Sequence, residues 1–158
     1  MRTSFEFDLR TTATPDQIVE VLTDFSATRP QRWPALSAGM YQVFSVGDTE
    51  AVVKEGQNFP KIYATWRYDW STPGTVHMTV TDSPYLVTGS LHTVTATAEP
   101  GGGSLVHGVW DNTAKNGSAM FGLLMMRIIG RRFFTTYYRR VFDGLTGNPA
   151  DLGGDGGI

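Results

Sequence analysis

Residues 5–25 read FEFDLRTTATPDQIVEVLTDF. The first part alternates: across residues 4–10, Phe5, Phe7 and Leu9 fall on one side and Glu6, Asp8 and Arg10 on the other. A period of two is that of a strand with one buried face. At Thr14-Pro15-Asp16-Gln17 the pattern changes. A capping Thr, a Pro suited to the first helical position and a Gln three residues after the Thr announce a helix start. Ile18, Val21, Leu22 and Phe25 then recur at helical spacing, so a short helix follows and runs to about residue 25.

A second short helix or turn fits residues 30–36, its length limited by Pro34 after Trp33. From residue 41 to about 113 the chain reads as six consecutive strands. Their connections, at 47–48, 58–60, 72–74, 82–84 and 100–103, are short and rich in Gly, Asp, Asn and Pro, as antiparallel hairpins require. In the fourth strand of the chain, Ile62, Ala64, Trp66, Tyr68 and Trp70 alternate with polar residues, and Val76, Met78 and Val80 do so in the fifth. A sixth spans residues 87–99. A long helix is expected over residues 118–145, with Met120, Leu123, Leu124, Gly130, Phe134, Tyr138, Val141 and Leu145 as the stripe facing the sheet. Residues 147–158 are Gly-rich and aperiodic and read as a flexible tail, leaving 1–146 as the domain.

The implied fold class is α+β: a curved antiparallel sheet of about seven strands wrapped around a long C-terminal helix, with two short helices between strands one and two. Only the long helix is large enough to cover the apolar face of the sheet. A sheet gripping one helix tends to enclose a cavity.

Composition narrows the function classes. At 158 residues, 41% hydrophobic, the chain matches one domain with a substantial core. A net charge of -2 disfavours a nucleic-acid partner, because the molecular field repels phosphate. The absence of Cys removes disulfides, thiolate nucleophiles and Cys-based zinc sites. The N-terminal residues lack the apolar run of a signal peptide, and the most apolar stretch, 119–130, is short and contains Arg127. These features point to a cytoplasmic protein without stable membrane insertion. Arginines beside apolar residues on the last helix would suit an anionic lipid surface, but the apolar side is needed to close the fold, and that disfavours the lipid reading.

The chain resembles the START-like or SRPBCC superfamily, whose helix-grip fold is shared by birch-pollen-type allergens, aromatic polyketide cyclases and lipid-transfer domains. The carriers are residues 5–25, Arg32-Trp33-Pro34, the WRYDW segment at 66–70 and the closing amphipathic helix, and the likeness spans roughly residues 3–146. These are architectural features. The resemblance implies a hydrophobic small-molecule ligand between sheet and helix, and it leaves the activity open.

Candidate ligand-binding residues follow from strand parity in the sheet, Trp66, Tyr68, Trp70, Met78, His92 and Trp110, and from the helix stripe, Leu124 together with Arg127, which interrupts it. Aromatic rings offer stacking surfaces and single hydrogen bonds, or they are simply core. His92 lies in phase with inward Val94, Ala96 and Ala98 and could act as a base, or be a satisfied strand-end histidine. Arg127 either points into the cavity, where it needs a carboxylate such as Asp82 or Asp111 or an anionic ligand, or extends to solvent. His92, Tyr68 and Arg127 are thus the catalytic candidates.

His77 and His107 fall on the outer side of their strands, so the three histidines do not converge and no metal is expected. No cofactor motif is present, and the PGGG run at 100–103 is a turn with no helix after it. Three functions remain open: a binding protein for a lipid, polyketide or similar metabolite, a polyketide cyclase or dehydratase, or an interaction module without a ligand. A homodimer is compatible with each.

Overall fold

The computed structural model describes residues 1–147; the tail expected over 147–158 lies, from residue 148 on, outside the described residues. The first strand, β1 (Arg2–Thr11), alternates exposed and buried along its whole length. Helix α1 (Pro15–Leu22) begins at the anticipated capping box: the Gln17 N–H donates to Thr14 Oγ1 at 3.2 Å, and the Thr14 N–H to Gln17 Oε1 at 2.9 Å. It stops at Leu22, three residues short of the expected end. Phe25 has left the helix and packs edge-on against Tyr68 at 4.9 Å. A single helical turn, α2 (Arg29–Arg32), follows.

Six further strands complete the sheet: β2 (Gln42–Val46), β3 (Glu50–Asn58), β4 (Lys61–Asp69), β5 (Thr75–Asp82), β6 (Leu91–Ala98) and β7 (Ser104–Thr113). All pairings are antiparallel, in the order β1-β7-β6-β5-β4-β3-β2. Consecutive strands are neighbours except that β1 adds to β7, with Arg2 opposite Thr113 and Thr11 opposite Ser104. The sixth strand starts four residues later than expected. Residues before it form a loop in which the Ser83 hydroxyl accepts the N–H groups of Tyr85 and Leu86, each at 3.0 Å.

Helix α3 (Gly117–Gly144) opens on Asn116, whose side chain accepts the Ala119 N–H at 3.0 Å, and lies across the inner face of the sheet. Its C-terminal part is held firmly. Phe7, Phe134, Tyr138 and Phe142 form a stack with successive centroids 5.3, 5.6 and 5.3 Å apart. Asp143 accepts the Thr11 hydroxyl at 2.6 Å and the Thr12 N–H at 3.1 Å. Gly130 and Gly108 make room for rings from β1: a Cβ on Gly130 would stand 2.3 Å from the Phe5 ring, and one on Gly108 2.0 Å from Phe7.

The buried stripe of α3 is Ala119, Gly122, Leu123, Gly130, Tyr138 and Phe142, with Phe134 half-buried. Met120 and Leu124, assigned to that stripe from the sequence, face solvent. The helix is rotated so that positions 119 and 123, one turn apart, meet Ala64, Val80 and Leu86 of the sheet side.

Candidate functional site

Sheet and helix do not fill the space between them. A cavity of about 390 Å³ lies under the middle of α3, from Gly122 to Tyr138, above the 300 Å³ at which ligand pockets begin. Its floor comes from inward positions of successive strands, Glu55 on β3, Ala64, Trp66 and Tyr68 on β4, Met78 on β5, His92 on β6, and Trp110 and Asn112 on β7. Its roof is α3, through Gly122, Leu123, Met126, Phe134 and Tyr138. Trp33 and Leu36 close the side after α2, and Phe59, Ile129 and Phe133 stand at the mouth.

Two polar clusters interrupt this apolar lining. In the first, Arg29 Nε donates to Glu55 Oε1, the Tyr68 hydroxyl donates to Glu55 Oε2 at 2.5 Å, and Arg29 Nη2 donates to the Tyr68 oxygen at 3.1 Å. Arg29 Nη1 also reaches the carbonyls of Leu22 at 3.0 Å and Asp24 at 3.1 Å. Both charged groups are buried. Burial opposes the Arg29 charge, but Tyr68 and Glu55 outweigh it and hold the guanidinium protonated above its ordinary range. Burial, and the Glu55 charge after it, push the Tyr68 hydroxyl well above the usual phenol value.

The second cluster is His92 with Tyr138, Nε2 and hydroxyl 2.7 Å apart. Burial lowers the His92 pKa to about 3, so the ring is neutral at any physiological pH, and raises that of Tyr138. Nδ1 of His92, Oδ1 of Asn112 and Nε1 of Trp33 are buried without a partner among the described residues. All three residues line the cavity. Parity puts His92 opposite Trp110 on the neighbouring strand, with Asn112 two residues along on the same face, so the two side chains are diagonal neighbours. Among the described lining residues only Arg29 and Glu55 are charged, and they neutralise each other.

Trp66, Tyr68, Met78, His92 and Trp110 therefore lie together against one cavity. Trp70, Leu124 and Arg127 do not. Trp70 stands beyond the end of β4, 6.1 Å from Phe25 and beneath the chain leaving α1. Leu124 and Arg127 are exposed, because α3 is rotated away from the stripe that would bury them. Neither carboxylate offered to Arg127 is used that way: Asp111 accepts from Arg2 Nε at 2.8 Å and Asp82 is exposed. Ala98, expected inward beside His92, is also exposed. His77 is exposed, and half-buried His107 faces Asp8 at 2.9 Å on the outer side.

Arg29, Glu55 and Asn112 were not singled out from the sequence. Glu55 had a signal: on β3 it continues the inward set Ala51 and Val53, a carboxylate where alternation demands an apolar side chain. Arg29 sits in one isolated turn, where no periodicity assigns a face.

No family model and no curated protein matches the sequence. Solved structures do. The chain is similar to the Zhui aromatase/cyclase from Streptomyces sp. R1128, with TM-score 0.70 and 14% identity over 100% of both chains. It is similar to a START superfamily protein from Mycobacterium smegmatis, TM-score 0.65 and 9% identity over 90% of this chain and 96% of that one. Norcoclaurine synthase from Thalictrum flavum, in complex with dopamine and hydroxybenzaldehyde, gives TM-score 0.66 and 8% identity over 92% and 87%. At such identities the likeness establishes the fold alone.

Proposed function

Starting from the START-like (SRPBCC) helix-grip fold of this chain, we propose that residues 1–146 form a binding domain for an uncharged, largely apolar small molecule, held between the sheet and α3. The observation that carries this reading is the cavity of about 390 Å³ whose only charges among the described residues, Arg29 and Glu55, cancel. A carboxylate or ammonium buried there would lack a counter-ion, which costs several kcal/mol. Trp66 and Trp110 offer flat faces to the ligand, and Met78 and Met126 adapt to its outline. The unpartnered groups of His92 and Asn112 supply one or two hydrogen bonds that orient it.

The test is a titration with Nile red, an uncharged fluorophore, and displacement by naphthol or naphthoate. A saturable complex should form, and naphthol should compete at least about tenfold better than naphthoate. Ala35→Trp, which adds bulk to the wall, should weaken the dye by about tenfold or more. A dye that does not bind, or that ignores Ala35→Trp, ends the proposal; native mass spectrometry of the purified protein gives the mass of the natural ligand.

A cyclase or dehydratase is the second reading, favoured by His92 and Tyr68 lining the same cavity. Their protonation weighs against it. An imidazole near 3 is a weak base at neutral pH, and the Tyr68 proton is committed to Glu55. A His92→Gln protein that keeps its ligand and loses turnover of that ligand would favour the enzyme.

A further inference from the structure

The outer side of α3 is unlike that of an ordinary surface helix. Over its N-terminal half, Met120, Phe121, Leu124, Met125, Ile128 and Ile129 are all exposed, Ile128 to 77%. The β3–β4 turn beside it carries Phe59, 87% exposed. Ser118 donates to the Lys61 carbonyl at 3.0 Å, which fixes this turn against the start of the helix. Phe59, Met125 and Ile129 also line the cavity, so the apolar patch and the cavity mouth are continuous. Helix and sheet therefore leave uncovered much of the apolar surface that closure of the fold was expected to consume.

The charges around the patch select its occupant. Lys61, Arg127, Arg131 and Arg132 are exposed, and neither the segment 58–63 nor the helix before Asp143 contains a carboxylate. Two copies meeting through this face would bring arginines against arginines, which opposes self-association. Greasy side chains ringed by arginine and lysine fit an interface of acyl chains beneath anionic headgroups. No helix among the described residues is long and apolar enough to cross a membrane, so the contact is peripheral.

We propose that the N-terminal half of α3 and the Phe59 turn dock this protein on an anionic lipid membrane, with the cavity mouth against the bilayer. Phe59, Phe121 and Ile128 enter the headgroup boundary while the basic residues contact lipid phosphates. An apolar ligand then passes between bilayer and cavity without crossing water. This extends the binding reading without depending on it, because docking is measured on the ligand-free protein.

The experiment is co-sedimentation of the full chain with phosphatidylcholine vesicles, with and without phosphatidylglycerol at a roughly 2:1 ratio. Binding to the anionic vesicles should exceed binding to the neutral ones by about tenfold or more and fall steeply by about 0.5 M salt. Phe121→Ser with Ile128→Ser, neither against the cavity, should reduce it by about tenfold or more, as should Arg131→Glu with Arg132→Glu. Nile red affinity in the absence of vesicles should be unchanged in both, which separates docking from ligand binding. Equal binding to both vesicle types, no binding, or binding indifferent to these substitutions overturns the proposal. So does a stable dimer dissolved by Phe121→Ser with Ile128→Ser, for then a second copy covers the face.

Discussion

Arg29, Glu55 and Tyr68 show how a few buried polar side chains constrain the site. A buried ion pair is weak evidence for stability in itself, yet removing one member strands the other. Glu55→Gln should therefore destabilise the fold by about 3 to 5 kcal/mol, read as a shift in the urea midpoint, and Arg29→Met combined with Glu55→Leu should recover most of that. A loss no smaller in the double variant would contradict the account. His92 gives a pH effect of definite sign. Its pKa falls from 6.5 to about 3 on folding. As pH drops below about 6.5, the unfolded chain takes up a proton that the folded one refuses, so stability declines by about 1.4 kcal/mol per unit until about pH 3. In His92→Gln that part of the decline should vanish from urea midpoints measured across this range; an unaltered slope would refute it. Parity alone placed His92 and Tyr68 on the inner face. Arg29 was invisible because its partner is 26 residues away in sequence and only the fold brings them together.

The elements of this chain were legible where one signal dominated. Capping chemistry fixed the start of α1, alternation fixed β1 and β4, and hairpin turns fixed the strand count. The rotation of α3 was not legible. From 119 to 129 the helix is apolar nearly all the way round, so periodicity could not choose between a stripe through Leu124 and one through Ala119 and Leu123. What set the rotation was fit. Small residues at 119, 122 and 130 let the helix settle on the sheet, with Gly130 directly over the Phe5 ring. Gly130→Ala improves intrinsic helix propensity by about 1 kcal/mol, yet its Cβ would lie 2.3 Å from a ring wedged against Trp110 and Phe134. Overpacking wins, and a net loss of about 1 to 2 kcal/mol in thermal unfolding is expected. In a Phe5→Leu background the same change should become neutral or stabilising.

At the scale of the whole molecule, the cavity follows from how the helix is anchored. Its C-terminal part is clamped by the aromatic stack and Asp143, while its N-terminal part rests on Ile62 and the second apolar cluster, and the gap between these two footholds is the cavity. The sequence implied such a space through the order of its elements, but size, mouth and polar groups depend on side chains meeting from segments far apart in the chain. The pairing of β1 with β7 has a further consequence, for the order in which the molecule assembles. During synthesis the first strand waits for residues 104–113 before it has a partner, and the sheet waits for residues 117–144 before its greasy face is covered. Such long-range closure makes folding slow and leaves the nascent chain prone to aggregation until residues 117–144 have emerged. The cavity between sheet and α3 is the last part of this domain to come into existence.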